Sequence, residues 1–398
     1  MLGAVCDRRW PVAPLIATLL LQTLATMAAY SLPAAAPAVA RDLGVDGALI
    51  GFFISVVYGV GIVSAVLSPG FIHRFGAVRV SQAVMLATLA MLATAASGGV
   101  ATLALSAVLL GTAYGATAPV STHLLVPRTP KRAINLVLSL RQIGVPLGGV
   151  LGGLLVPPMV LAFGWRPALL VQLVPVLALM LLLQLARRAW DAERDPSRRI
   201  FHRGILRPLA LLREDPGIRR LSLACFLYSG IQLCFIAFMT VHLTGVAKQD
   251  LIHAGQALAT YQIAGVVSRP IWGWLADRYV PATRLLTLQG ALMAGAAVAA
   301  GQFGPQWPIW LVLLVCTVAG ATASGFTGIA YAEYARRGGE RRTEATGLGA
   351  GAMFAGVLVL PSAFGLTVML LDDFTIAYVS LAVLAVVGGL LLARDKGR

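Results

Sequence analysis

The chain is poor in charge. Only 12% of its 398 residues are Asp, Glu, Lys or Arg, and 58% are hydrophobic, whereas a soluble domain has about a quarter charged. Acids are scarcest, with 16 Asp and Glu against 31 Lys and Arg. This excludes an ordinary water-soluble domain. Cysteine is sparse too: Cys6, Cys225, Cys234 and Cys316 have no CxxC or other ligand spacing, which argues against a disulfide framework or a thiolate metal site. The five histidines, at 73, 123, 202, 242 and 253, are scattered. A membrane enzyme would need His, Asp or Cys clustered at one interface, so no catalytic residue, metal or cofactor is expected.

What the chain has instead is long apolar runs. A helix needs about 20 apolar residues to cross a bilayer core. Twelve such runs lie at 12–36, 48–70, 78–97, 100–125, 134–161, 166–186, 219–244, 252–275, 283–302, 307–332, 344–371 and 374–393. An even number places both termini on one side. Of the 31 basic residues, 26 fall at the termini or in alternate links, among them Arg8, Arg9, Arg74, Arg79, Arg128 and Arg278. The opposite links hold only Arg41, Arg166 and Lys248. Lys and Arg near helix ends stay in the cytoplasm, so both termini are predicted to be cytoplasmic in a bacterial inner membrane. The net charge of +15 is then a topology signal facing lipid head groups, not a nucleic-acid footprint, which needs a clustered basic face. Arg8-Arg9, the first apolar run and Pro37-Ala38-Val39-Ala40 have the form of a cleavable secretory signal. Eleven further runs favour an uncleaved first helix.

The longest polar segment, 187–218, divides the runs six and six. The expected organisation is a six-helix half at 1–188, a cytoplasmic loop at 189–217 and a second half at 218–398. The link after run 2 recurs after run 8: Pro69-Gly70-Phe71-Ile72-His73-Arg74-Phe75-Gly76-Ala77-Val78-Arg79, then Gly273-Trp274-Leu275-Ala276-Asp277-Arg278-Tyr279-Val280. Internal repetition at half the chain length points to a duplicated unit.

These links resemble the signature G-x-x-x-D-R-x-G-x-x-R/K of the major facilitator superfamily. The second copy fits at Gly273, Asp277 and Arg278, with Val280 where a glycine is expected. The first fits at Arg74, Gly76 and Arg79, with His73 in place of the acid. Ser139-Leu140-Arg141-Gln142-Ile143-Gly144-Val145-Pro146 is similar to a stretch of organic-anion and cyanate-type members. The resemblance implies an all-α fold of twelve transmembrane helices in two pseudo-symmetric halves. It also implies conformational gating by Asp277, Arg278, Gly273, Arg74 and Gly76, and a monomeric secondary transporter in the bilayer.

No Asp or Glu lies in the middle of any run, but two cations do: Arg141 and Arg269. Arg141 is 9 residues past Arg132 and Arg269 is 8 before Asp277; at 1.5 Å per residue both are about 12–14 Å deep. Ionisable groups at such depth are costly and usually functional. A guanidinium fork binds carboxylate in bidentate fashion, so the expected substrate is a small organic anion. Arg269-Pro270 also matches the place of the carboxylate-binding arginine in oxalate/formate-type members. Gln142, Gln262, Tyr30, Tyr114, Tyr228 and Gln232 are expected to line the path with the two arginines. In the implied fold both guanidinium groups face one cavity. Protons or a counter-anion are the expected coupling partners, with His123 and His242 as titratable candidates. The alternative is multidrug or metabolite efflux by proton antiport, which generally needs an intramembrane acid that this chain lacks.

Overall fold

The computed structural model describes residues 10–44, 49–198, 200 and 207–394, with the backbone alone at 49–52, 207 and 251. Cys6, Arg8, Arg9 and His202 lie outside the described residues. Among those described, the chain is helical with no strand. Twelve long helices account for the runs: α1 Val12–Ala34, α2 Leu49–Phe75, α3 Ala77–Ala96, α4 Val100–Leu125, α5 Lys131–Phe163, α6 Trp165–Trp190, α7 Pro216–Gly245, α8 Leu251–Arg278, α9 Ala282–Gly301, α10 Ile309–Gly338, α11 Arg342–Leu371 and α12 Phe374–Ala393. Two short helices, Ala36–Leu43 and Arg207–Glu214, lie in links.

Except for α8, these helices are long enough and apolar enough to cross a bilayer, which makes this a multi-pass membrane protein. Side chains such as Leu154, Leu161, Val174 and Leu185 are mostly exposed, as befits helices whose outer faces meet lipid. α10 and α11 run together through the 3₁₀ turn Gly339–Arg341 into one apolar stretch. Among the described helices of this length, α8 alone falls short in apolarity, because Gln256, Gln262, Ser268 and Arg269 interrupt it.

Contacts divide the chain into two units. The first contains residues up to Pro130, Arg141–Ala210 and Gly338–Gly351; the second contains Lys131–Leu140, Leu211–Arg337 and Ala352–Arg398. The division near Ala210 falls in the polar segment seen in the sequence. The starts of α5 and α11 are assigned away from the halves in which chain order puts them. Helix starts follow the neighbours they pack on: α11 residue Gly347 lies against Ala65 and Pro69 of α2, and α5 residues Asn135 and Leu136 lie against Gly273 of α8.

Packing repeats between the units. In the first, Gly148 of α5 lies so close to α1 that a Cβ would sit 2.7 Å from the Thr26 Cβ. In the second, Gly230 of α7 meets α11 in the same way, 2.6 Å from the Leu360 Cβ. Likewise Gly111 of α4 packs on Val57 and Val60 of α2, and Gly265 of α8 packs on Ser324 of α10. Without a hydrophobic drive between helices in lipid, close backbone approach through small residues supplies the cohesion. Each pair in one unit has its counterpart six helices later.

Acidic caps fix helix starts outside the apolar runs. Asp215 accepts from the Gly217 and Ile218 amides of α7, and Asp373 from Thr375 and Ile376 of α12. Arg166, one of the basic residues on the sparsely basic side, pairs with Asp42 at 2.8 Å and lies over the Trp165 ring.

Candidate functional site

In the first unit, Arg141 is only 2% exposed. Its Nη2 donates to Gln22 Oε1 at 2.7 Å and its Nε to Ser121 Oγ at 2.9 Å. Nη1 donates to Gln142 Oε1. The network continues along α1: Gln22 Nε2 donates to Thr26 Oγ1 at 2.9 Å, and Thr26 Oγ1 donates to Tyr114 Oη at 3.4 Å. Ser121 is itself anchored on the Thr117 carbonyl at 2.7 Å. Amide and hydroxyl acceptors orient a guanidinium without cancelling its charge. Gln22 and Ser121 therefore present Arg141 as an oriented cation held between α1, α4 and α5.

Arg269, in the second unit, is 1% exposed. It is held by a local irregularity in α10, where Gly320–Ser324 forms a π turn. A π turn widens the helix and shifts carbonyls off the regular ladder, a feature frequent at functional sites. Side chains of α8 bond two of its carbonyls. Trp272 Nε1 and Ser268 Oγ donate to Ala321 O at 2.7 and 3.0 Å, and Arg269 Nε donates to Ser324 O at 3.1 Å. Arg269 Nη2 also reaches Ser324 Oγ at 2.9 Å, and Gln232 Nε2 approaches the same hydroxyl at 3.4 Å.

The remaining residues predicted to line the path are distributed unevenly. Gln142 and Tyr114 join the Arg141 network, and Gln232 joins that of Arg269. Tyr30 lies against Gly149 and Gly152 of α5. Gln262 is half-buried on α8, about two turns before Arg269. Tyr228 is directed elsewhere: its hydroxyl donates to Leu286 O at 3.1 Å, and its ring fits against Gly290 and Gly388, so it packs α7 on α9 and α12. His242 is sandwiched among aromatic rings, stacked on Phe374 at 4.7 Å.

The two links are built differently. In the second copy the Asp277 carboxylate accepts from the Asn135 and Leu136 amides at 3.1 and 2.8 Å and from Asn135 Nδ2 at 2.9 Å. It caps the start of α5, where an anion is favoured by the free N–H groups and the helix dipole. Gly273 permits the approach, since a Cβ there would lie 2.7–2.8 Å from Ser139, Asn135 and Leu136. Arg278 is exposed. In the first copy Gly76 has φ +95° at the α2–α3 turn, over the Asp191 carboxylate. Asp191 accepts from the Val78 and Arg79 amides at 2.8 and 3.2 Å and caps α3. Arg74 Nη1 donates to Arg198 O at 2.9 Å. His73, which stands where the acid is expected, pairs through Nε2 with Glu344 Oε1 at 3.3 Å, on the first turn of α11. His123 joins them, 5.3 Å from the His73 ring and 3.0 Å from Thr343 Oγ1.

Residues 18–337 match the Major Facilitator Superfamily. The chain belongs to that family. This agrees with the link motifs, the duplicated six-helix pattern and the all-helical fold of the described residues. Among curated relatives in the superfamily, the 4-hydroxybenzoate transporter PcaK of Pseudomonas aeruginosa is 30% identical over 279 residues, 62% of each chain. The probable nitrate/nitrite transporter NarK2 of Mycobacterium tuberculosis is 30% identical over 189 residues, 44% of this chain and 47% of its own. The chain thus spans less than two thirds of the length of these relatives. Solved structures share the fold at low identity. The human organic anion transporter MFSD10 superposes with a TM-score of 0.76 at 19% identity, covering 96% of this chain and all of its own. The E. coli fucose:proton symporter FucP gives a TM-score of 0.76 at 11% identity over 98% of this chain and all of its own.

The superfamily signature locates the links in the sequence but not their partners. Asn135, Asp191 and Glu344 are far from the link residues along the chain, and only packing brings them there. Trp272 and Ser268 likewise carry no sequence signal beyond lying on the same helix as Arg269.

Proposed function

We propose that this superfamily member is a secondary transporter that moves a small anion, a carboxylate in the first instance, across the cytoplasmic membrane by alternating access. The observation that carries the reading is the burial of two oriented guanidinium groups, Arg141 and Arg269, each held by neutral acceptors deep in its own unit. Such groups are expensive in a bilayer and mark substrate or ion sites. A planar fork of N–H donors fits the two-oxygen edge of a planar anion. 4-Hydroxybenzoate and nitrate, named for PcaK and NarK2, both offer such an edge.

In this reading Arg141, with Gln142, Tyr114 and Tyr30, and Arg269, with Gln232 and Gln262, each offer an anion-binding group within their own unit; Tyr228 serves packing. Asp277 and Gly273 at the start of α5, Gly76 at the start of α3, and Arg74 and Arg278 in the same links are the gating residues of this reading, and the links rearrange during the cycle. The group of His73, Glu344 and His123 is the candidate for coupling to protons. The basic residues gathered in alternate links support a cytoplasmic position for both termini.

The test is counterflow in proteoliposomes. Vesicles loaded with unlabelled 4-hydroxybenzoate, benzoate, oxalate, formate or nitrate are diluted into the labelled anion. Transient accumulation with at least one of them, absent from protein-free vesicles, is expected. Transport of organic cations with none of the anions would contradict the reading.

A further inference from the structure

Two adjoining cavities of the first unit are not accounted for by anion transport. One, of about 760 Å³, follows α2 from Val60 to Phe75 against α3 and α4. Its walls are apolar, with Val63, Leu67 and Phe71 from α2 and Val84 and Ala87 from α3. At the link end, however, the same cavity is bounded by four arginines: Arg74, Arg79, Arg187 and Arg194. The second cavity, of about 370 Å³, is polar and bounded by Arg187, Arg188, Arg194, Asp191 and Ala192. Arg187 and Arg194 belong to both.

The acid among these cations is already engaged. The Asp191 carboxylate accepts from the Val78 and Arg79 amides and also faces Arg187 and Arg194, so one acid stands among the five arginines that bound the two cavities. Arg74 and Arg79 donate to neutral oxygens, Arg198 O and Gln82 Oε1, both at 2.9 Å. The loop carrying Arg194 is tied to the link by the Asp195 amide on His73 O at 2.9 Å, so the arginines are held near one another. The result is a cationic pocket opening into an apolar trough. From Val60 to Phe75 α2 rises about 22 Å, enough to follow a hydrocarbon chain through one leaflet of about 15 Å.

We propose that these cavities bind an anionic glycerophospholipid, with its phosphate against Arg187 and Arg194 and one acyl chain along Val63, Leu67 and Phe71. Charge complementarity selects this occupant. A zwitterionic lipid would bring its own cation to the arginines. A small free anion would leave the trough unfilled. A second copy of the chain would have to present a buried acid to the pocket. Basic pockets between transmembrane helices are suited to such head groups.

The test uses the purified full chain, delipidated in detergent and titrated with phosphatidylglycerol or phosphatidylcholine while bound lipid is counted by native mass spectrometry. Phosphatidylglycerol is expected to be retained at least tenfold more tightly. At about 1 kcal/mol for each basic contact, the double variant Arg187→Gln/Arg194→Gln should retain it roughly 30-fold less well. Arg187→Lys/Arg194→Lys should recover most of the loss, which separates lost charge from misfolding. Ala87→Trp, which fills the trough and leaves the arginines in place, should also weaken retention at least tenfold. Equal retention of the two lipids overturns the proposal, as does unchanged binding by Ala87→Trp. Displacement by inorganic phosphate at equal concentration overturns the acyl half. A lipid-excluding dimer in sedimentation assigns the face to a second copy instead.

Discussion

Arg269 and Ser324 are joined twice: Nε donates to the Ser324 carbonyl at 3.1 Å and Nη2 to its hydroxyl at 2.9 Å. One residue of the α10 π turn thus fixes the plane of the guanidinium, and the geometry of the candidate site rests on an irregularity in the neighbouring helix.

Ser324→Ala removes the hydroxyl and leaves the carbonyl. A hydrogen bond to a charged group contributes about 1.5–3 kcal/mol; since the carbonyl bond still holds the guanidinium, transported-anion affinity should weaken by no more than roughly tenfold. Affinity equal to that of the parent in a counterflow titration would show that this bond does not orient the binding group.

The Asp277 cap on α5 gives a graded expectation. Asp277→Ala deprives the Asn135 and Leu136 amides of their acceptor and should cost about 0.5–2 kcal/mol. Asp277→Asn keeps one acceptor oxygen but loses the charge that favours a helix start, so its cost should be smaller. Thermal unfolding in detergent should rank the parent above Asn and Asn above Ala. Coincident midpoints for all three would remove the capping role.

Asp191 offers a pH signature. Burial raises its carboxyl above the ordinary carboxylate range, opposed by the Val78 and Arg79 amides and by Arg187 and Arg194. A folded-state pKa above the unfolded value means that the folded chain binds more protons across the interval between them. Stability contributed through this group therefore falls as pH rises through that interval. Asp191→Asn should flatten this part of the stability profile relative to the parent between the ordinary carboxylate range and neutrality. An unchanged difference between the two profiles across that range would contradict the assignment.

What was legible in the sequence follows from cost. Apolar runs and the placement of arginines are read directly, because a bilayer penalises any other arrangement, and Arg141 and Arg269 stand out for the same reason. The orientation of helix faces is harder to read. A helix that is apolar all round carries no amphipathic stripe to show which face turns inward, so Tyr228 is expected in the path from sequence while packing turns it towards α9 and α12. The π turn was hidden because Gly320-Ala321-Thr322-Ala323-Ser324 suits an α-helix equally well. His73 was legible as a departure from the link motif, but the acid that compensates, Glu344, lies on a distant helix and is found only by contact.

The decisive measurement is equilibrium binding of a transported anion, identified by counterflow, to purified parent, Arg269→Gln and Arg141→Gln. Loss of a charge-assisted bond costs about 1.5–3 kcal/mol, so each Gln variant should bind roughly 10- to 150-fold more weakly, with Arg269→Lys between Gln and the parent. Parent-like affinity in both Gln variants, in protein that unfolds at the parent temperature, would show that neither guanidinium holds the anion.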